Sequence, residues 1–319
     1  MNPLTEIYAA VSGVRNGLYD HGLLRSHRLP RPVVSVGNLS TGGAGKTPFV
    51  IALGELLKAR GISFDVLSRG YRRKTRGVLV VEADGSAADF GDEPLLISRR
   101  LGVPVIVGES RYEAGRLAEK QFDAQIHILD DGFQHRSLAR DFDIVLLTGQ
   151  EFEDRLLPSG RLREPVSALK RADAIVLPAE LTADHAALQG KLVWRVKRQI
   201  GIPQIAPSQA PLSPVVFCGI ARPQQFFAQV RALGVVPAAE VVFRDHQSYR
   251  RSDIERLLDA KRKSGAGGFV TTEKDGINLV SLAEQLQPLA FAVLNVFLDN
   301  ADGVVDTILA RIGKRKLGS

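Results

Sequence analysis

The sequence predicts an α/β protein: a P-loop NTPase parallel sheet flanked by helices, with a smaller second α/β domain and an N-terminal amphipathic helix. Three observations carry that expectation. A strand-like run at Val33, Val34 and Val36 enters a glycine loop and then a helical pattern, in VVSVGNLSTGGAGKTPFVI. Short apolar runs alternate with helical patterns from residue 33 to about residue 196, as parallel βαβ units do. The proline-rich stretch GIPQIAPSQAPLSP then precedes a second alternation of the same kind. The expected organisation is an amphipathic helix over 1–30, a P-loop domain over 31–200, a linker over 201–214 and a second α/β domain over 215–319.

The glycine loop carries the first chemistry. Gly42, Gly43 and Gly45 let backbone N–H groups approach an anion with no Cβ in the way. The following helix turns its positive end toward the same point. Residues Thr41, Gly42, Gly43, Ala44, Gly45, Lys46 and Thr47 therefore form a candidate phosphate cradle. Lys46 would reach the β- and γ-phosphates of a nucleoside triphosphate, and the Thr47 hydroxyl would hold Mg²⁺. Ser40 stands where the strict G-x-x-x-x-G-K-[ST] pattern has glycine. A glycine-rich turn capping an ordinary helix is the competing reading, and Gly-Lys-Thr at a strand–helix junction disfavours it.

Bulk composition narrows the partners. The 319 residues carry a formal charge of +7 and a sequence pI near 9.6, which asks for an anionic partner. Aromatic residues make up only 6% of the chain, too few to favour base-stacking platforms, so nucleic acid is not expected. The single cysteine, Cys218, excludes an internal disulfide and suits a cytosolic setting. No apolar run approaches the ~20 residues of a membrane span.

Residues 3 to 29 read as one amphipathic helix, with Leu4, Ile7, Tyr8, Val11, Val14, Leu18 and Leu23 three and four apart. Such a segment can lie in a membrane interface, with its arginines on lipid phosphates, or pack on the body of the protein. After the second strand, SRGYRRKTRG holds Arg69, Arg72, Arg73, Lys74 and Arg76 with no acid among them. Loops at strand C-termini line the ligand crevice of a parallel sheet, so these charges suit a second anionic group; a solvated loop is the alternative. Asp92 and Glu93 in GDEP can each cap the helix that Pro94 opens. Ile126–Leu129 leads into Asp130 and Asp131, the Walker-B arrangement that brings a carboxylate to Mg²⁺, although paired aspartates also form turns. His127 within that strand reads as a half-buried structural histidine. In the second half, FRDHQSY and TTEKD each follow a strand end as loops, and His246 is suited to proton handling.

Taken in order, VGNLSTGGAGKTP, SRGY, GDEP, DDGFQH, GRLREP, FRDHQ and TTEKD resemble the tetraacyldisaccharide 4′-kinase family along most of the chain. That resemblance implies transfer of the γ-phosphate of ATP to the 4′-hydroxyl of a tetraacylated disaccharide 1-phosphate, a lipid A precursor, giving lipid IVA. It implies Asp92 as catalytic base with His246 as its partner, alongside Lys46. It implies Asp130 and Asp131 at the Mg²⁺ site with Thr47, supported by Glu93 and Glu164. Arg72, Arg111 and Arg163 would face the substrate, as would Gln134 and His135, without separate roles for the last two. The role of TTEKD stays open. The substrate's acyl chains would keep the enzyme at the cytoplasmic face of the bacterial inner membrane, touching it through the N-terminal helix, with no obligate protein partner. A reading from another class is a membrane-surface P-loop ATPase acting as a positioning or assembly switch. A soluble small-molecule kinase is a third, and it leaves the apolar N-terminus unexplained.

Overall fold

A computed structural model describes residues 2–182, 184–202 and 213–316. Along the chain run α1 (Pro3–Asp20), β1 (Val33–Asn38), α2 (Lys46–Ala59), β2 (Phe64–Ser68), β3 (Leu79–Val80), α3 (Ala87–Phe90) and α4 (Asp92–Leu101). Next come β4 (Val105–Val107), α5 (Arg111–Gln121), β5 (Ile126–Asp130), β6 (Phe142–Leu146), β7 (Ala174–Pro178) and β8 (Leu192–Gly201). The remaining elements are β9 (Val215–Cys218), α6 (Pro223–Ala232), β10 (Ala239–Val242), α7 (Arg251–Ser264), β11 (Phe269–Thr272), α8 (Glu273–Leu279), β12 (Leu289–Leu298) and α9 (Ala301–Lys316). Most of the proline-rich stretch expected as a linker lies outside the described residues.

The strands form one sheet in the order β10-β9-β11-β12-β8-β7-β6-β1-β5-β2-β4-β3. Strands β8 to β4 in that order are parallel, and so are β10 to β12. The two parallel blocks meet antiparallel at β12 and β8, paired from Val293↔Gly201 to Leu298↔Val196. The sheet expected from sequence is thus interrupted once, at this junction, and again at the short edge strand β3. The central strands β1, β2, β5 and β6 are buried throughout. Both faces of a parallel sheet are covered by its crossover helices, so such strands read as apolar runs and not as alternation.

Helix α2 anchors the P-loop through this core. Phe49, Val50, Leu53 and Leu57 are buried against Val34, Val36, Ile128 and Ile144, with Val304 and Ile308 of α9 in the same cluster. On the other side of β1, Gly37 lies so close to the loop after β5 that a Cβ there would sit 2.5 Å from Phe133 Cβ and 2.8 Å from its backbone nitrogen. The acidic loop after β5 and the strand that enters the glycine loop are therefore held at one end of the sheet by direct contact.

Two local expectations are corrected. The N-terminal helix ends at Asp20 and does not continue to residue 29. Gly22 turns the chain at φ +71°, and the Leu23 and Leu24 amides fold back onto the Leu18 carbonyl. His127 is fully buried, not half-buried, because its two ring nitrogens face Asp65 at 2.7 Å and Glu119 at 3.4 Å. A polar ring is tolerated there because both nitrogens have partners.

Leu53→Ala is expected to lower unfolding free energy by about 2–5 kcal/mol, the range for a truncated core leucine, read from urea denaturation. Gly37→Ala is expected to keep the fold but displace Phe133 and its loop, seen as changed amide shifts at residues 130–135. A spectrum unchanged there would show that the contact is soft.

Candidate active site

The glycine loop follows β1 with Gly42, Gly43 and Gly45 at φ +74°, +62° and +78°, a region open to glycine at no steric cost. Helix α2 starts at Lys46 with no side chain capping its N-terminus, which leaves its first amides free to bind an anion. Ser40, the departure from the strict motif, holds the loop's entrance. Its Oγ donates to Glu151 Oε1 at 3.0 Å, and its carbonyl accepts from Asn38 Nδ2 at 2.7 Å. Lys46 Nζ donates to Asn38 Oδ1 at 3.0 Å and lies 3.3 Å from Asp131 Oδ1. Thr47 is buried beside it.

Asp130 and Asp131 leave the end of β5 in different electrostatic settings. Asp130 is buried; its Oδ2 accepts from Ser68 Oγ at 3.0 Å, and its Oδ1 has no hydrogen-bond partner among the described residues. Burial, then the charges of Glu93 and Asp131, push its pKa up to about 7. Asp131 takes a left-handed backbone at φ +51°, uncommon for a residue with a Cβ. Burial would raise its pKa, but Lys46 and Arg163 outweigh burial and hold it at about 2. Arg163 Nη1 donates to Asp131 Oδ2 at 3.0 Å and to Gln134 Oε1 at 3.3 Å, and Gln134 Nε2 donates to the Asn38 carbonyl at 2.9 Å. Lys46, Asn38, Asp131, Gln134 and Arg163 thus form one network (P-loop and acidic loop tied together).

A second constellation straddles the two halves of the chain. His246 Nδ1 and Asp92 Oδ2 are 2.7 Å apart. Asp92 is the first residue of α4, buried, with its Oδ1 accepting from the Glu93 amide at 2.9 Å. Lys274 of α8 completes the group, 3.1 Å from Glu93 Oε1, 3.4 Å from His246 Nε2 and 3.7 Å from Asp92 Oδ2. Burial works to raise the Asp92 pKa; the His246 hydrogen bond and the Lys274 charge outweigh it and hold Asp92 below the ordinary aspartate range. Burial likewise works to lower the Lys274 pKa, and Glu93 and Asp92 raise it instead. The Asp92 carboxylate, the His246 ring and the Lys274 ammonium are thus in mutual contact, an arrangement able to accept a proton while keeping the acceptor charge oriented. His246 sits at φ +58°, a costly backbone for a non-glycine residue that its surroundings must hold.

The remaining expected residues are placed as follows. Arg72 Nη1 donates to the Asp245 carbonyl at 2.9 Å, so it reaches across to the His246 loop. Arg111 is buried, donates to the Glu109 carbonyl at 2.7 Å, and has its pKa lowered to about 10 by burial and by Arg69. His135 Nε2 lies 3.0 Å from Ser137 Oγ. Burial, then Arg111, Arg140, Arg15 and Arg69, hold its pKa at about 4. Glu164 is not gathered with the acidic pair: it is 2.9 Å from Arg171 Nη2 and accepts from Asn16 Nδ2 of α1 at 2.7 Å. Glu93 is engaged by Lys274.

Among the described residues, no three His, Cys, Asp or Glu side chains converge into a metal cluster. Mg²⁺ itself takes one or two protein oxygens and completes its shell with substrate phosphates and water. Asp130 Oδ1, a buried carboxylate oxygen without a partner, and the Thr47 hydroxyl fit such a site. Lys274, Ser68 and Asn38 are contributors that sequence reasoning did not assign. The available signal for Lys274 was a lysine directly after a strand end, in TTEKD.

Lys46, Thr47, Glu93, His246 and Lys274 line one cleft of about 290 Å³ between the P-loop and the second half of the chain. A phosphate cradle on one cleft wall, His246 on the other in contact with the buried Asp92, and an acidic strand end beside Lys46 are the parts of a P-loop phosphotransferase. Residues 1–313 match the family described as tetraacyldisaccharide-1-P 4′-kinase, LpxK. The chain is 47% identical to the tetraacyldisaccharide 4′-kinase of Koribacter versatilis over 99% of this chain and 100% of that protein. It is 39% identical to the enzyme of the same name from Geobacter metallireducens, over 91% of each chain. LpxK from Aquifex aeolicus, solved in complex with ATP, superposes with a TM-score of 0.79 at 33% identity, over 97% of each chain. This chain belongs to the tetraacyldisaccharide-1-P 4′-kinase family.

The depressed His135 pKa carries a signed prediction. Its folded value of about 4 lies below the ordinary histidine value of 6.5, so between those pH values the unfolded chain binds more protons and stability falls as pH falls. His135→Gln removes this term, and its unfolding free energy relative to wild type should rise between pH 6.5 and 4. A constant difference across that window would mean that His135 titrates normally.

Proposed function

We propose that this protein transfers the γ-phosphate of ATP to the 4′-hydroxyl of a tetraacyldisaccharide 1-phosphate, giving lipid IVA and ADP. The observation that carries the reading is the 2.7 Å contact between Asp92 and His246, the second of which lines the cleft together with the P-loop. A sugar hydroxyl is a poor nucleophile at neutral pH, and a nucleotide-binding switch needs no positioned base to activate one. Asp92 accepts the hydroxyl proton as the oxygen attacks phosphorus, His246 orients the carboxylate, and the bond from phosphorus to the ADP oxygen breaks. Lys46 and Arg163 bear the charge that develops on the transferred group. Thr47 and the Asp130 carboxylate, whose Oδ1 has no hydrogen-bond partner among the described residues, would hold Mg²⁺ with Asp131 in support, and the ion would supply neutralisation of phosphate charge. Arg72, Arg111, Gln134 and His135 face the acceptor.

The same reading places the protein peripherally at the cytoplasmic face of the inner membrane. Leu4, Ile7, Val11, Val14 and Leu23 are each at least 59% exposed, and no side chain of α1 is buried. The opposite face of α1 is fastened to the active-site loops. Tyr8 OH donates to the Arg163 carbonyl at 3.0 Å, Arg15 to the Gln134 carbonyl at 3.2 Å, and Asn16 to Glu164. An apolar face left open on a helix bolted to the acceptor site suits a substrate whose acyl chains stay in lipid. No described helix is long and apolar enough to cross a membrane. Residues 1–30, 31–200 and 215–319 act as membrane contact, donor site and cover, with 201–214 as the connection.

Incubation with labelled ATP and the disaccharide 1-phosphate in detergent is expected to yield a phosphorylated lipid; label on inorganic phosphate alone would favour the ATPase-switch reading. Asp92→Ala and His246→Ala are each expected to lower turnover by about 10²–10⁴-fold, the usual contribution of a general base, with ATP affinity unchanged. Equal losses of ATP binding would instead make the pair structural. Val11→Asp with Val14→Asp should reduce co-sedimentation with anionic phospholipid vesicles while ATP binding stays at the wild-type level. Undiminished co-sedimentation would remove α1 from the membrane contact.

A further inference from the structure

Two arginines outside the motifs press on the glycine loop from the far side of the cleft. Arg198 projects from β8, and its Nη2 donates to the Ala44 carbonyl at 2.6 Å. A Cβ on Gly45 would lie 3.0 Å from its Cζ and Nη2. Arg222 directly precedes α6, and its Nε would lie 3.0 Å from a Cβ on Gly43. Two of the three left-handed glycines are therefore covered by guanidinium groups, closer than an ordinary Cβ contact would be.

Among the described residues Arg198 and Arg222 form no ion pair; Arg222 donates to the neutral Gln150 amide oxygen at 3.3 Å, and Arg198 Nε is buried without a hydrogen-bond partner. Arg100, on the wall of the same cleft, differs in being held by Glu273 at 2.8 Å and Glu55 at 3.4 Å. The nearby carboxylate of Glu151 is engaged by Ser40 and Thr148. Burial, then the charge of Arg222, disfavour the charged form of Arg198 and outweigh the charges of Glu180 and Glu151, neither of which pairs with it. Two mutually repelling cations with donors to spare are unfavourable in a half-buried site unless an anion completes it.

We propose that Arg198 and Arg222 bind the polyphosphate of the nucleotide, closing from the second half of the chain the cradle that Lys46 and Thr47 open from the first. The inference rests on the reading of this cleft as the ATP site. Lys46 is a single positive charge already shared with Asp131, whereas a triphosphate presents several anionic oxygens. Planar guanidinium groups match phosphate geometry with paired donors and stay charged. Arg198 also acts as a positioning residue, since its bond to Ala44 fixes the loop's curvature before the nucleotide arrives. Arg222 has no such backbone bond to the loop, so its contribution is to the ligand alone.

The test uses the full chain and titrates ATP, ADP and AMP by calorimetry into wild type, Arg198→Gln, Arg222→Gln and Arg222→Lys, with thermal melts of each. Arg222→Gln is expected to weaken ATP about tenfold or more, the effect of one charge-assisted hydrogen bond, and AMP by no more than about twofold. The dependence of ATP affinity on salt should become shallower, and Arg222→Lys should recover part of the loss. Arg198→Gln should weaken ATP further because the loop is also released. Wild-type ATP affinity in both glutamine variants would overturn the proposal. So would equal loss of ATP and AMP with a lowered melting temperature, which marks a structural role. A wild-type protein that shows the expected binding pattern yet phosphorylates no lipid would overturn the kinase reading and support this one.

Discussion

The antiparallel pairing of β8 with β12 governs how the two halves of this protein face each other. Six residue pairs hold it, from Val293↔Gly201 to Leu298↔Val196. Every other strand contact within each block is parallel save the edge strand β3, so each block by itself would place its loops without reference to the other. The junction turns two parallel blocks into one sheet and sets Ile200, Ala292 and Leu294 as the floor of the cleft. His246 and Lys274 then meet Asp92 and Glu93, more than 150 residues earlier in the chain.

Charge, not shape, gives the cleft its character. The P-loop side holds Lys46, Asp131 and Arg163 in contact, and this keeps Asp131 ionised while Asp130, one residue earlier, is pushed up to about 7 by burial. The two neighbouring carboxylates differ because Asp131 has two cations in contact with it, whereas Asp130 accepts only from the neutral Ser68 hydroxyl. On the other side Lys274 compensates both Asp92 and Glu93, so that a buried carboxylate stays deprotonated and available. Helix α1 adds a mechanical link, since its polar face bonds to the loops bearing Arg163 and Gln134 while its apolar face stays exposed.

Much of this was legible from the sequence because it is local. The glycine loop, the strand ending in Asp130 and the alternation of strands and helices depend on residues within one βαβ unit, where spacing reports geometry. What lay beyond reach depends on contacts between distant segments. Glu164 stands beside Arg163 in the chain, yet its partners are Arg171 and Asn16, the second of them on α1. Nothing near Arg198 or Arg222 announces that they cover glycines of the P-loop. His127 could be placed on a strand, but its full burial follows from Asp65 on a neighbouring strand and Glu119 on α5. The end of α1 was overextended because hydrophobic spacing continues through Leu23, whereas Gly22 decides the backbone.

Assembly of a base for the acceptor hydroxyl as one unit from both halves of the chain is tested most directly by a double-mutant cycle on lipid phosphorylation, comparing Asp92→Ala, His246→Ala and the double variant. Residues that act as a unit are strongly non-additive. The double variant is expected to be about as slow as the slower single variant. Losses that multiply, each residue contributing its full factor in the absence of the other, would contradict it.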